Sequence, residues 1–89
     1  MKILHLTLKK KWFDMIASGE KKQEYREIKP YWSKRLIDKK YDVILFRNGY
    51  HKDAPKLLIP LTRIWIGYGK TKWGAPLNKE VFILSLGDL

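Results

Sequence analysis

Residues 57–67, LLIPLTRIWIG, constrain this chain more than any other stretch. The run is dense in β-branched and aromatic residues and predicts a long strand. Pro60 falls inside it and has no amide proton for a ladder, so the strand must be an edge there or carry a bulge. Other strands surround it in the sequence. ILHLTL alternates, with Leu4, Leu6 and Leu8 on one face and Ile3, His5 and Thr7 on the other, which predicts a half-buried strand. KQEYREI and VFILSL also read as strands. DVILFR is a continuous apolar run of strand length, expected to be covered on both faces, and it stops at the turn signal Asn48-Gly49.

Two helices fit between them. In KKKWFDMIASG, Trp12, Phe13, Ile16 and Ala17 fall at helical spacing and Gly19 suits a C-terminal cap, so a helix is expected from about Lys9 to Ser18. PYWSKRLI places Pro30 in a first helical turn, with Trp32 and Leu36 four apart. HKDAPK and YGKTKWGAPLNKE read as loops. About five strands and two short helices predict an α+β fold, a small curved mixed sheet or barrel capped by helices. Residues 1–89 are expected to form a single domain.

Composition narrows the chemistry. The chain has no cysteine, which excludes disulfides and thiolate metal sites, and His5 and His51 alone cannot make a zinc site. Four Trp, five Tyr and three Phe supply enough apolar volume for a core without staples. No apolar run reaches the roughly 20 residues of a membrane span, and the N-terminus is too regularly alternating for a signal peptide. A cytoplasmic, monomeric protein without metal or cofactor is the expectation. The formal charge of +10 favours a polyanionic partner, nucleic acid above all, since the basic residues lie among aromatics. An incidental positive charge on a protein-interaction module is the competing reading.

SGEKKQEYRE, residues 18–27, concentrates charge between apolar segments. On a strand Glu24 and Arg26 share a face. Lys21 has the opposite parity, but it lies in the helix-to-strand turn that Gly19 frees to bend. The three side chains can converge, with the cations holding a phosphate and the carboxylate accepting from a base edge or moving a proton. They also suit a solvated, ion-paired strand with no ligand. If they build a site, Lys21→Ala or Arg26→Ala is expected to weaken ligand binding and leave thermal stability nearly intact.

Gly19, Lys21, Glu24 and Arg26 in the spacing GxKxxExR, after an alternating strand and a short apolar helix, resemble the signature of the ASCH domain family. The order of elements is similar over most of the chain. The resemblance implies a PUA-like, partly open β-barrel with helices at its side and the motif lining a cleft. It also implies binding of RNA or a nucleotide-derived ligand. Some compact members are amidohydrolases that release the acyl group from N4-acylcytidine, and ribonuclease activity also occurs in the family. If this chain is an enzyme, Lys21 and Glu24 carry the chemistry. It departs from the amidohydrolase pattern, however. Glu24 stands where that branch has a threonine, and Glu80 is the only glutamate available as its later acidic partner. Tyr41-Asp42 replaces Gly-Asp before the apolar run DVILFR.

Further basic and aromatic residues complete the expected ligand surface. Gly69-Lys70-Thr71 lacks the earlier glycine of a phosphate loop, since Ile64 occupies that position. The remaining loop carries Tyr68, Lys70, Lys72 and Trp73, either aromatics for base stacking flanked by cations or, for a lone Trp near a strand end, core packing. Arg47, Asn48 and Tyr50 end a strand and either rim the same cleft or make an ordinary turn with a capped arginine. Three lysines, Lys9 to Lys11, crowd the start of the first helix, either as solvated charges or as a phosphate contact.

Overall fold

The computed structural model describes residues 1–88. β1 (Ile3–Leu8) follows its alternation, with Leu4, Leu6 and Leu8 buried and Ile3 and His5 exposed. α1 (Lys10–Ala17) begins two residues later and ends one residue inside each expected boundary. Phe13 and Ile16 turn into the core, and Trp12 packs against its edge. Gly19 then adopts φ +85°, a left-handed conformation that a Cβ would strain. Its amide donates to the Ile16 carbonyl (3.0 Å) and the Lys21 amide to the Met15 carbonyl (2.9 Å). The helix end is thereby satisfied, and the chain reverses directly into β2 (Gln23–Arg26).

α2 (Pro30–Leu36) starts with Pro30 in its first turn, where a missing amide proton leaves nothing unsatisfied. It adds Leu36 to the core. β3 (Val43–Asn48), the long β4 (Lys56–Tyr68), a 3₁₀ turn (Thr71–Trp73) and β5 (Glu80–Leu86) complete the chain.

The five strands form one sheet in the order β1-β3-β4-β5-β2. β1 and β3 are parallel, and every other pair is antiparallel. β4 makes the sheet curl. Its first part pairs with β3 as far as Pro60, and its second part pairs with β5 after a register shift between Leu61 and Arg63. The bulge expected at Pro60 therefore lies immediately after it, and the extra residue sharpens the local bend. The fold is α+β, a curled half-barrel of five mixed strands with two helices. Its outermost strands, β1 and β2, face each other across an open seam. Arg26 bridges that seam by donating from Nη2 to the Thr7 carbonyl (3.3 Å).

One expectation fails. β3 is not covered on both faces: Ile44 and Phe46 are fully buried, but Val43 and Leu45 are only half-buried. Phe13, Ile16 and Leu36, the buried residues of the helices, all join the inner cluster. The outer face, where Ile3 pairs with Val43 and Leu58 with Leu45, keeps contact with water. The strand buried on both faces is β5, with residues 81–84 all inaccessible. Ile83 lies between Tyr25 and Trp65 on the neighbouring strands, which shield its outer side.

Candidate functional site

The helix-to-strand turn decides where Lys21 goes. It precedes β2, and its parity matches Gln23 and Tyr25, so strand alternation alone would separate it from Glu24 and Arg26. Lys21 lies before β2 begins, however, in the turn where strand alternation does not yet govern direction. The Lys21 ammonium lies 3.3 Å from Glu24 Oε1, and Glu24 Oε2 lies 2.6 Å from Arg26 Nη2. The result is a row of charges, plus, minus, plus. Lys21 also donates to the Trp73 carbonyl, and its ammonium stands 5.1 Å from the Trp12 ring and 4.8 Å from the Tyr25 ring. The Arg26 guanidinium stacks 4.9 Å from Trp32.

This row is buried. Lys21 is 2% exposed and Glu24 5%, so the solvated ion-paired strand is not what forms. Each charge in this buried row depends on its neighbours for a partner. Burial pushes the Lys21 ammonium below its ordinary value. Attraction and hydrogen bonding to Glu24 oppose that shift, and repulsion from Arg26 adds to it. Tyr25 moves the other way. Burial raises its hydroxyl, the Lys70 amide works against the rise, and the Glu24 charge reinforces it.

The row forms one wall of a cleft of about 230 Å³ at the seam between β1 and β2. Thr7, Leu8 and Lys9 line it from β1 and the start of α1, Trp12 from α1, and Trp73 and Gly74 from the 3₁₀ turn. Segment 69–75 is drawn over β2 by two contacts. Lys21 holds the Trp73 carbonyl, and the Lys70 amide donates to the Tyr25 hydroxyl (2.9 Å), which itself donates to Gln23 Oε1 (2.6 Å). Gly69 permits this approach: a Cβ there would lie 2.4 Å from the Tyr25 ring and 2.7 Å from the Ala75 Cβ. Arg26 Nε and Trp73 Nε1 are buried donors without a protein partner. Arg47 Nε, away from the cleft, is a third, and a buried unpaired donor costs about 1–3 kcal/mol.

The structure brings Lys21, Glu24 and Arg26 together and adds Trp73 through its backbone. It does not present Trp73 as an exposed stacking platform. The indole is 7% exposed, with the Lys70 and Lys72 ammonium groups 4.6 and 5.2 Å from its ring. A 3₁₀ turn closed by Gly74 at φ +100° tucks the ring inward, where an open loop was expected. Tyr68 is exposed at the end of β4 and does not line the cleft. Nor does Arg47, whose Nη2 donates to the His51 carbonyl (3.1 Å), or the exposed Glu80. Of the three lysines starting α1, Lys10 pairs with Asp14 and Lys11 lies over Trp12, leaving Lys9 on the cleft rim.

Sequence reasoning missed Thr7, Trp12 and Tyr25. Tyr25 carried a usable signal, since it shares parity with Lys21. Thr7 carried none, because it contributes a main-chain carbonyl. Among the described residues no group of three or more His, Cys, Asp or Glu could hold a metal ion, and no helix is long and apolar enough to cross a membrane. No family model matches the chain, and no curated protein or solved structure does either.

Proposed function

We propose that this chain is an ASCH-type, PUA-like domain that binds RNA, or a ligand derived from a nucleotide, by taking one base into the seam cleft. The observation that carries this reading is the buried Lys21–Glu24–Arg26 row forming the wall of an open, aromatic-sided cleft. Buried ion networks contribute little to stability compared with apolar packing of the same volume. Placing one on a ligand-accessible wall is explained by recognition. The cleft falls below the ~300–1,000 Å³ of pockets for drug-sized ligands, which suits a single base. The partly exposed Arg26 guanidinium offers a donor to a base carbonyl, the remaining lone pairs of Glu24 and of the Thr7 carbonyl can accept from an exocyclic amine, and Trp12 and Tyr25 line the cleft with aromatic surface. The surrounding charge of +10 serves the phosphates outside.

The test is titration with single-stranded RNA, followed by tryptophan fluorescence, at several salt concentrations. The expected log-log salt slope has a magnitude of about 3 or more. Arg26→Lys keeps the charge but loses the planar fork, and it is expected to weaken binding about tenfold or more. Absence of binding at low salt, or affinity indifferent to salt, overturns the proposal and favours a protein-interaction module.

A second reading is an amidohydrolase acting on N4-acylcytidine, favoured by the downward shift of the Lys21 amine. Against it, Lys21 is committed to Glu24 and the Trp73 carbonyl, and both Glu24 oxygens already hold cations. Binding is the better supported function.

A further inference from the structure

The motif cleft has a neighbour. A second groove of about 430 Å³ is lined by Thr7, Leu8, Lys9, Asn48, Gly49 and Tyr50, and it shares Thr7, Leu8 and Lys9 with the motif cleft. Its origin is topological. β1 and β3 are the only parallel pair of the sheet, with Leu8 beside Asn48 at their carboxyl ends. Beyond those ends the chains diverge, one into α1 and the other into the Asn48-Gly49 turn, and a crevice opens between them. Gly49, at φ +100° with open space around it, turns the chain so that Tyr50 stands 91% exposed. Arg47 steadies this turn from the β3 side through its bond to the His51 carbonyl.

We infer that this groove is a second nucleotide subsite, so that the ligand is a strand of at least two nucleotides and not a free nucleoside. The inference rests on the base-binding reading of the motif cleft. The two hollows share Thr7, Leu8 and Lys9, so an exposed lysine borders both. A phosphodiester linking two bases carries its negative charge at that point. Tyr50 offers an uncovered ring beside the second hollow. An exposed aromatic next to a cation fits an unpaired base and its backbone. At 91% exposed, the Tyr50 ring is free to stack on a base. Arg47 is a positioning residue here, because it holds the turn that carries Tyr50.

The experiment compares ribonucleoside 5′-monophosphates with random-sequence ribodinucleotides, using the wild type and Tyr50→Ala. Dinucleotides are expected to bind the wild type at least about fivefold more tightly than monophosphates, which is the lower bound for stacking one further base. Tyr50→Ala is expected to remove that gain and leave monophosphate affinity unchanged. Lys9→Ala, at the shared border, is expected to weaken both. Equal affinity for monophosphate and dinucleotide overturns the second subsite while the motif cleft stands. So does a Tyr50→Ala protein that keeps the dinucleotide gain. If neither probe binds the folded wild type, the base-binding reading falls and this inference falls with it.

Discussion

Glu24 is the middle charge of a buried row, and neutralising it is the sharpest test of how the site is built. Glu24→Gln leaves Lys21 and Arg26 close together with no anion between them, in a place where Lys21 is 2% exposed. Removing one partner of a buried ion pair costs about 3–5 kcal/mol. Arg26 retains some water contact, with 18% of its side chain exposed, so the lower value of about 3 kcal/mol applies. For a domain of this size, each kcal/mol lowers the melting temperature by about 4–8 °C, giving a fall of about 12–24 °C. Lys21→Met is a milder change. Glu24 keeps Arg26 at 2.6 Å, and the loss of a donor to the Trp73 carbonyl is offset by no longer burying an ammonium. About 1 kcal/mol, or about 4–8 °C, is expected there. Thermal melts followed by circular dichroism at neutral pH measure both. If Lys21→Met lowers the midpoint as much as Glu24→Gln does, the middle charge is not the linchpin and the reasoning fails. A shift below about 4 °C for Glu24→Gln refutes it equally.

The same row predicts a pH dependence. The folded-state pKa of Lys21 lies below its ordinary 10.5, so between those two values the unfolded chain holds a proton that the folded chain has lost, and stability from this group rises with pH. Tyr25 acts in the opposite sense above its ordinary 10.0, where the folded state keeps a proton that the unfolded state gives up. The melting temperature of wild type minus that of Lys21→Met should therefore increase as the pH rises from neutral towards Lys21's ordinary value of 10.5, and a constant difference would count against a depressed Lys21. Gly69→Ala forces a Cβ to 2.4 Å from the Tyr25 ring and is expected to cost about 1–3 kcal/mol, with weakened ligand binding as segment 69–75 lifts; an unchanged melt would show that segment to be loosely held. N4-acetylcytidine incubated with the folded protein is expected to yield no cytidine, because Lys21 and Glu24 are both engaged by protein partners. Release that disappears in Glu24→Gln would establish the amidohydrolase reading instead.

Local patterning was enough to place most of the elements. Alternation in ILHLTL, helical spacing in KWFDMIA and the positions of Gly19, Pro30 and Pro60 each act over a few residues, and the structure keeps all of them. The candidate residues Lys21, Glu24 and Arg26 were legible for the same reason, since a dense run of charged residues after Gly19 stands out in a linear reading. What they do was not legible. Whether a run of charges faces water or becomes buried depends on what covers it, and the cover comes from Trp12 and from segment 69–75, distant in sequence. Trp73 illustrates the limit: its composition suited an exposed stacking loop, and a 3₁₀ turn buried it. Arg47 and Tyr50 suited either a rim of the motif cleft or an ordinary turn with a capped arginine, and the divergence of two parallel strand ends decided it: Tyr50 lines a groove of its own and Arg47 braces the turn. Sequence determined the elements because propensity and periodicity are short-range. Tertiary structure alone decided the seam, the burial of the charge row and the neighbouring groove, because each is made by chain segments that meet only when the sheet curls at β4.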